Sequence, residues 1–206
     1  MNRRFVIITL AAFSIGAVLA LNLVASQNAV KPKTVTTGKA AIGGSFSLTS
    51  HLGKPVTEKD LLGKYSLIFF GFTYCPDVCP VALQNITTAL DMIGTDAQKI
   101  VPVFITTDPE RDTVEKVAQY VKSFHKSLIG LTGTVDQVKA AKKVYRIYAA
   151  KKKNADMPDG YTVDHASIIY LMDPKGNYVT HFNHSTPPKA MAAKIKLIFE
   201  QVGKSS

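Results

Sequence analysis

The sequence predicts an α/β domain with a mixed sheet flanked by helices, behind an N-terminal transmembrane helix. Three observations lead there. Two continuous apolar runs of strand length, Ser66 to Phe72 and Ile100 to Thr106, are each followed by a stretch of helical apolar spacing. Two further runs near the C-terminus are joined by Asp173-Pro174-Lys175-Gly176-Asn177, residues suited to a hairpin turn. An uncharged run, Phe5 to Ala25, follows Arg3 and Arg4. Strand–helix alternation closed by a hairpin and a last helix is the order of an α/β sheet.

Taken in order, residues 1–4 are a short cytoplasmic end and residues 5–25 are the anchor. Phe5 to Ala25 spans about 30 Å at helical rise, the thickness of a hydrocarbon core. The run is longer than the apolar part of a usual signal peptide, and Leu23-Val24-Ala25 is a poor cleavage site, so an uncleaved anchor is preferred to a cleaved signal. Arginines before it keep the N-terminus inside, which predicts a single-pass protein of the inner (cytoplasmic) membrane with its domain on the periplasmic or extracytoplasmic side. Residues 26–44 are a polar linker broken by Pro32, Gly38 and Gly43-Gly44, and residues 45–206 are the domain.

Within the domain, Phe46 and Leu48 alternate with polar residues before the turn Gly53-Lys54-Pro55, the pattern of a small hairpin. Ser66 to Phe72 is a central buried strand. Ala82, Leu83, Ile86, Ala89, Leu90 and Ile93 share one face of the helix after it. Ile100 to Thr106 is a second strand. Asp112-Thr113-Val114-Glu115 resembles a capping box opening a helix through Val117, Val121 and Phe124. Ile129 to Leu131 is a short strand, and Thr134 to Gln137 opens a helix that runs through Tyr145. Ser167 to Met172 and Tyr178 to Phe182 form the hairpin, and a terminal helix runs from Pro188 to Val202.

The chain has 206 residues and 46% apolar side chains, enough for one domain with a sizeable core. Its net charge is +10, but no nucleic-acid-binding motif accompanies it, so nucleic acid is not an expected partner. The short run Lys151-Lys152-Lys153 reads as a solvated loop or strand end. Two cysteines are too few for a disulfide framework. Cys75 and Cys79 lie where the central strand meets a helix, the sheet edge at which α/β domains bind ligands. A helix N-terminus there favours thiolate.

On an ideal helix their Cα atoms would be about 6 Å apart, close enough for a disulfide or for one shared ion. Pro76 and Pro80 disfavour helical geometry in the residues before them. The reading is therefore a tight loop from Cys75 to Cys79, with Pro80 as the first helical residue. Two thiolates suit Cu(I) or zinc and need a third ligand from elsewhere. Of the five histidines (His51, His125, His165, His181 and His184), His165 stands out by its place in a loop before a strand that can reach the same edge. Asp164 beside it is placed to orient the ring.

The segment Phe69-Phe70-Gly71-Phe72-Thr73-Tyr74-Cys75-Pro76-Asp77-Val78-Cys79-Pro80 resembles the copper motif of the Sco/SenC family of copper chaperones for cytochrome c oxidase assembly. Thr106-Thr107-Asp108-Pro109-Glu110-Arg111-Asp112-Thr113 resembles its second signature. Val144 to Tyr148 and Val163 to Ser167, continuing through Tyr170 to Asn177, resemble the rest. The resemblance implies a thioredoxin-like fold and one ion of Cu(I) or Cu(II) per chain, held by Cys75, Cys79 and His165. It also implies a copper donor protein and delivery to the copper-bearing subunit of cytochrome c oxidase, at its binuclear copper centre. In the family the acidic position Asp77 influences the site or partner contact; its plainer role is to cap the following turn. Asp108, Glu110 and Arg111 are assigned to loop structure and ion pairing. His181 and His184 form an additional His-x-x-His, a weaker candidate for a second metal site.

The alternative is a thiol–disulfide oxidoreductase in which Cys75 and Cys79 are the redox-active pair and reduce the partner's copper-ligand cysteines. Cys-x-x-x-Cys spacing, and the absence of proline at residues 166–168, set the chain apart from a general thioredoxin. A peroxiredoxin would need Thr or Ser where Phe72 stands and Pro where Ile68 stands.

Overall fold

A computed structural model of the chain describes residues 41–203. The expected anchor over residues 5–25 lies outside them. Among the described residues no helix is long and apolar enough to cross a membrane.

The first hairpin pairs β1 (Ser47–Ser50) with β2 (Pro55–Thr57). The central strand β3 (Tyr65–Gly71) is buried along its whole length, as its unbroken apolar run requires. It leads into α1 (Val78–Ile93), followed by β4 (Ile100–Thr106), α2 (Val114–Val121), β5 (Ile129–Thr132) and α3 (Val135–Val144). Then come β6 (Ala149–Lys153), β7 (Tyr161–His165), β8 (Ile168–Met172), β9 (Tyr178–Asn183) and α4 (Pro188–Gly203).

Seven strands form one mixed sheet in the order β2-β1-β5-β4-β3-β8-β9. β3, β4 and β5 are parallel, and β8 runs antiparallel to β3. The two-residue period of β3 divides the core. Leu67 and Phe69 pack with α1, α2 and α4, while Ile68 and Phe70 pack with α3 on the other face. The apolar face read for α1 is the buried one, joined by Cys79.

Three local features differ from the sequence reading. Helix α1 begins at Val78, so Cys79 is helical and Pro80 sits third in the first turn. A first-turn proline loses nothing, because its missing N–H would have no partner there, and this outweighs the extended preference of the residue before it. The cap of α2 is Thr113, whose side chain accepts from the Lys116 N–H, and Asp112 turns inward instead. Finally, residues 149–165 form an antiparallel ribbon of β6 and β7, separate from the main sheet. The alanines and lysines of β6 carry no apolar alternation, and in β7 only Tyr161 and Val163 alternate with Thr162 and Asp164, a run too short to mark a strand by its pattern. Gly43 and Gly44, compositionally part of the linker, already pack on the domain: the Gly43 N–H donates to the Val144 carbonyl at 3.0 Å.

Candidate functional site

β3 ends at Gly71, and the chain turns through Phe72 to Asp77 into α1. A Cβ on Gly71 would lie 2.8 Å from the Cys79 Sγ and 2.9 Å from Phe69 Cε1. Glycine is the residue that lets the sulfur sit against the end of the strand. The Cys75 N–H donates to the Phe72 carbonyl at 3.2 Å, closing the turn. The Cys79 N–H donates to Cys75 Sγ at 3.4 Å. Asp77 stands at the N-cap position but makes no side-chain cap bond. The Cys75 sulfur therefore takes the capping role, one of the two read for Asp77: it satisfies a free N–H at the positive end of the helix.

His165 is the last residue of β7, not a loop residue, and lies opposite Ala149 in the ribbon. Its Nε2 is 3.5 Å from Cys79 Sγ and its Nδ1 is 3.2 Å from the Ala166 carbonyl. The Ala166 carbonyl can only accept, so Nδ1 carries a proton and Nε2 is the nitrogen that faces the sulfurs. The ring is seated edge-on against Phe72 (centroids 5.7 Å, 84°) and Phe69 (6.3 Å, 66°). Asp164 does not orient it; its carboxylate pairs with Lys152 at 2.6 Å, on the exposed side of the ribbon.

The two thiols are free, with Cys79 buried and Cys75 half-buried. A hydrogen bond from the Cys79 thiol is the main cause that lowers the Cys75 thiol to about 4, aided by His165 and the Asp77 and Cys79 N–H groups against the cost of burial. The same bond, burial and the Cys75 charge push Cys79 far upward. The pair holds one proton, as Cys75 thiolate beside Cys79 thiol.

The second signature braces this arrangement. The Thr107 N–H donates to the Gly71 carbonyl at 2.6 Å. Asp112, fully buried, accepts from the Thr73 N–H (3.0 Å), the Thr73 hydroxyl (2.6 Å) and the Thr106 hydroxyl (2.6 Å). Burial raises its carboxyl while these three bonds pull it down. The sequence pattern reads Asp112 as a helix cap, Phe72 as the end of the central strand and Thr73 only as part of the motif. Only the long-range Thr73–Asp112 contact reveals the role.

The remaining histidines stand apart. His51 Nδ1 accepts from the Gly130 N–H, and His125 bonds to Ser127 in its own turn. His181 is exposed and bonds to the Tyr178 hydroxyl at 2.5 Å. Among the described residues no three His, Cys, Asp or Glu side chains form a ready-made cage for an ion, the His181/His184 pair included. Cys75, Cys79 and His165 are drawn together here by hydrogen bonding. Two soft sulfurs and one imidazole nitrogen fit Cu(I) or zinc.

The SCO1/SenC family profile matches residues 34–200. The mitochondrial SCO1 homolog 1 of Arabidopsis thaliana is 49% identical over 150 residues, which cover 71% of this chain and 44% of that protein. The mitochondrial SCO1 homolog of Homo sapiens is 44% identical over 160 residues, covering 77% and 53%. This chain spans about half the length of the curated relatives it matches. The crystal structure of Arabidopsis thaliana ScoI with copper bound superimposes with a TM-score of 0.74 at 43% identity, covering 78% of this chain and 99% of that one. Bradyrhizobium japonicum ScoI with copper bound gives 0.70 at 46%, covering 76% and 98%. The mixed sheet and its flanking helices are the thioredoxin-like fold of these solved chains.

Proposed function

This chain belongs to the SCO1/SenC family, and from that premise we propose that it is a copper metallochaperone of cytochrome c oxidase assembly. It takes one copper ion, Cu(I) or Cu(II), from a donor protein. It delivers the ion to the binuclear copper centre of an oxidase subunit. Cys75, Cys79 and His165 are its ligands, and the chain is held at the inner membrane by residues 5–25 with the domain outside the cytoplasm. One observation carries the reading: residues 86 positions apart in sequence meet, with His165 Nε2 3.5 Å from Cys79 Sγ. Solved relatives similar to this chain hold copper.

Copper here is cargo. Cys75 offers a ready thiolate, Cys79 must give up its proton, and the Ala166 carbonyl holds the imidazole in the tautomer that leaves Nε2 to bind. Copper titration of the reduced chain tests this. A one-to-one complex with Cu–S absorption is expected, weakened strongly by Cys75→Ala, Cys79→Ala or His165→Ala. Binding unaffected by His165→Ala would rule out the three-ligand site.

The asymmetry of the thiols favours a second reading, reduction of a partner disulfide. Cys75 is the half-buried, more accessible thiolate and Cys79 the buried thiol. Cys75 would attack one partner sulfur and release the other as a thiolate. Cys79, losing its proton, would then attack Cys75, close the intramolecular disulfide and free the second partner thiol. The partner gains two electrons and this chain loses two. Exchange with a partner peptide that persists undiminished in His165→Ala would favour this reading over delivery.

A further inference from the structure

The cysteines sit beside the main sheet, whereas His165 ends a separate two-stranded ribbon that shares no ladder with β3. Two residues, Ala166 and Ser167, join His165 to β8, but the ribbon behind it needs side chains to hold it against the domain. Its outer ion pairs, Lys151–Glu110 at 2.5 Å and Lys152–Asp164, are exposed and screened, and the second lies within the ribbon.

Val163, 6% exposed, sets the ribbon into the core shared with α1, α2 and α4, and beside it lies a buried polar contact, Arg111, also 6% exposed. Its Nε donates to Asp108 Oδ2 at 2.6 Å and its Nη1 donates to the Tyr161 carbonyl at 3.1 Å. Its guanidinium carbon lies 3.7 Å from the Tyr161 ring centroid and 4.9 Å from that of Tyr74. The Tyr161 hydroxyl donates to Asp108 Oδ1 at 3.0 Å, closing the group. Asp108 is in turn fixed by its N–H bond to the Thr106 hydroxyl at 2.9 Å. Tyr74 precedes Cys75, and Tyr161 opens the strand that ends at His165. One planar cation therefore touches both ligand-bearing segments, in a way that lysine, with no plane to stack and no fork of donors, would not reproduce.

We propose that Arg111 is a positioning residue, whose contacts with Tyr74, Tyr161 and Asp108 set the distance from which His165 reaches the two cysteines. The inference rests on the three-ligand reading for its consequence in copper binding, but not for its effect on the His165 ring.

The test compares Arg111→Lys, His165→Ala and the double variant in the full chain, purified in detergent. Cu(I) affinity is measured by competition with a chromophoric chelator, and folding by thermal unfolding. Arg111→Lys should weaken Cu(I) binding by about 10–100-fold, the range for residues that orient a ligand. The double variant should bind no more weakly than His165→Ala alone. Wild-type affinity in Arg111→Lys, or a loss that adds in full to that of His165→Ala, overturns the proposal. Tyr161→Phe, which keeps the ring and removes only the bond to Asp108, should show a smaller loss that vanishes in the His165→Ala background; it serves if Arg111→Lys does not fold. In copper-free protein the His165 ring protons carry shifts from Phe72 and Phe69, and Arg111→Lys should move them toward those of free histidine. If His165→Ala leaves copper binding intact, the three-ligand reading fails by itself. The ring shifts then still decide: moved shifts support Arg111 as the positioning residue, and unmoved shifts refute it.

Discussion

At Cys75 and Cys79 a single proton makes two chemically identical side chains different. Cys75 Sγ receives the Cys79 N–H and the Cys79 thiol, and so carries charge at a half-buried position. Cys79, packed against Gly71 with no exposed surface, keeps its proton. A depressed thiol reacts at nearly constant rate wherever the pH lies above its pKa, because the thiolate fraction is already full. Alkylation of Cys75 by iodoacetamide is thus expected to be flat between pH 6 and 8 and to fall by half only near pH 4, with Cys79 silent. Cys79→Ala removes the main cause of the shift. Its profile should become pH-dependent in the neutral range, with a midpoint moved toward the ordinary thiol value of about 8.5. An unchanged midpoint would show that the hydrogen bond is not the cause. None of this was readable in Cys-x-x-x-Cys spacing, which treats its two sulfurs alike.

Among the elements, the strand-to-helix junction was legible in place but not in detail. The apolar run of β3 and the spacing in α1 located it, and the prolines argued for a longer loop than the one formed. Pro80 is tolerated inside the first turn, where its missing N–H has no consequence. The fit at the junction is tight: a methyl on Gly71 meets Cys79 Sγ, Phe69 and Phe104 at 2.8, 2.9 and 3.1 Å. Gly71→Ala should therefore cost about 1–3 kcal/mol as overpacking and displace the sulfur. Copper affinity and the urea midpoint should fall together. A variant that loses stability but binds copper normally would show that the strand yields and the sulfur does not. The ribbon of β6 and β7 was the element that sequence reasoning missed. Lys151 to Lys153 face water, and the side turned to the domain carries only Ala149, Tyr161 and Val163, so the ribbon takes its form from pairing, from this small apolar contact and from Arg111 rather than from a long apolar stripe.

For the molecule as a whole, the sheet separates two cores, and the site draws on one of them. Cys79, Phe69 and Phe72 belong to the core with α1, α2 and α4, while Phe70 packs on the far face against Tyr145 at 5.4 Å. Phe70→Ala should cost about 3–5 kcal/mol in urea unfolding. The copper affinity of the folded protein and the Cys75 alkylation profile should stay as in the wild type. A matching loss of affinity would mean that the two faces are coupled through β3.

By itself the sequence determined what depends on neighbours along the chain. The strand β3 follows from its apolar run, the helical faces from their spacing, the β8–β9 turn from Asp173 to Asn177, and the reactive pair from its place at a strand end. The tertiary structure decided what depends on contacts across the chain. It made Cys75 the thiolate, turned Asp112 inward to hold Thr73, and carried His165 to the cysteines on a ribbon braced by Arg111. The physical reason is that apolar periodicity and turn chemistry act within a few residues. A shared proton, a buried carboxylate and a guanidinium between two rings exist only once distant segments have met.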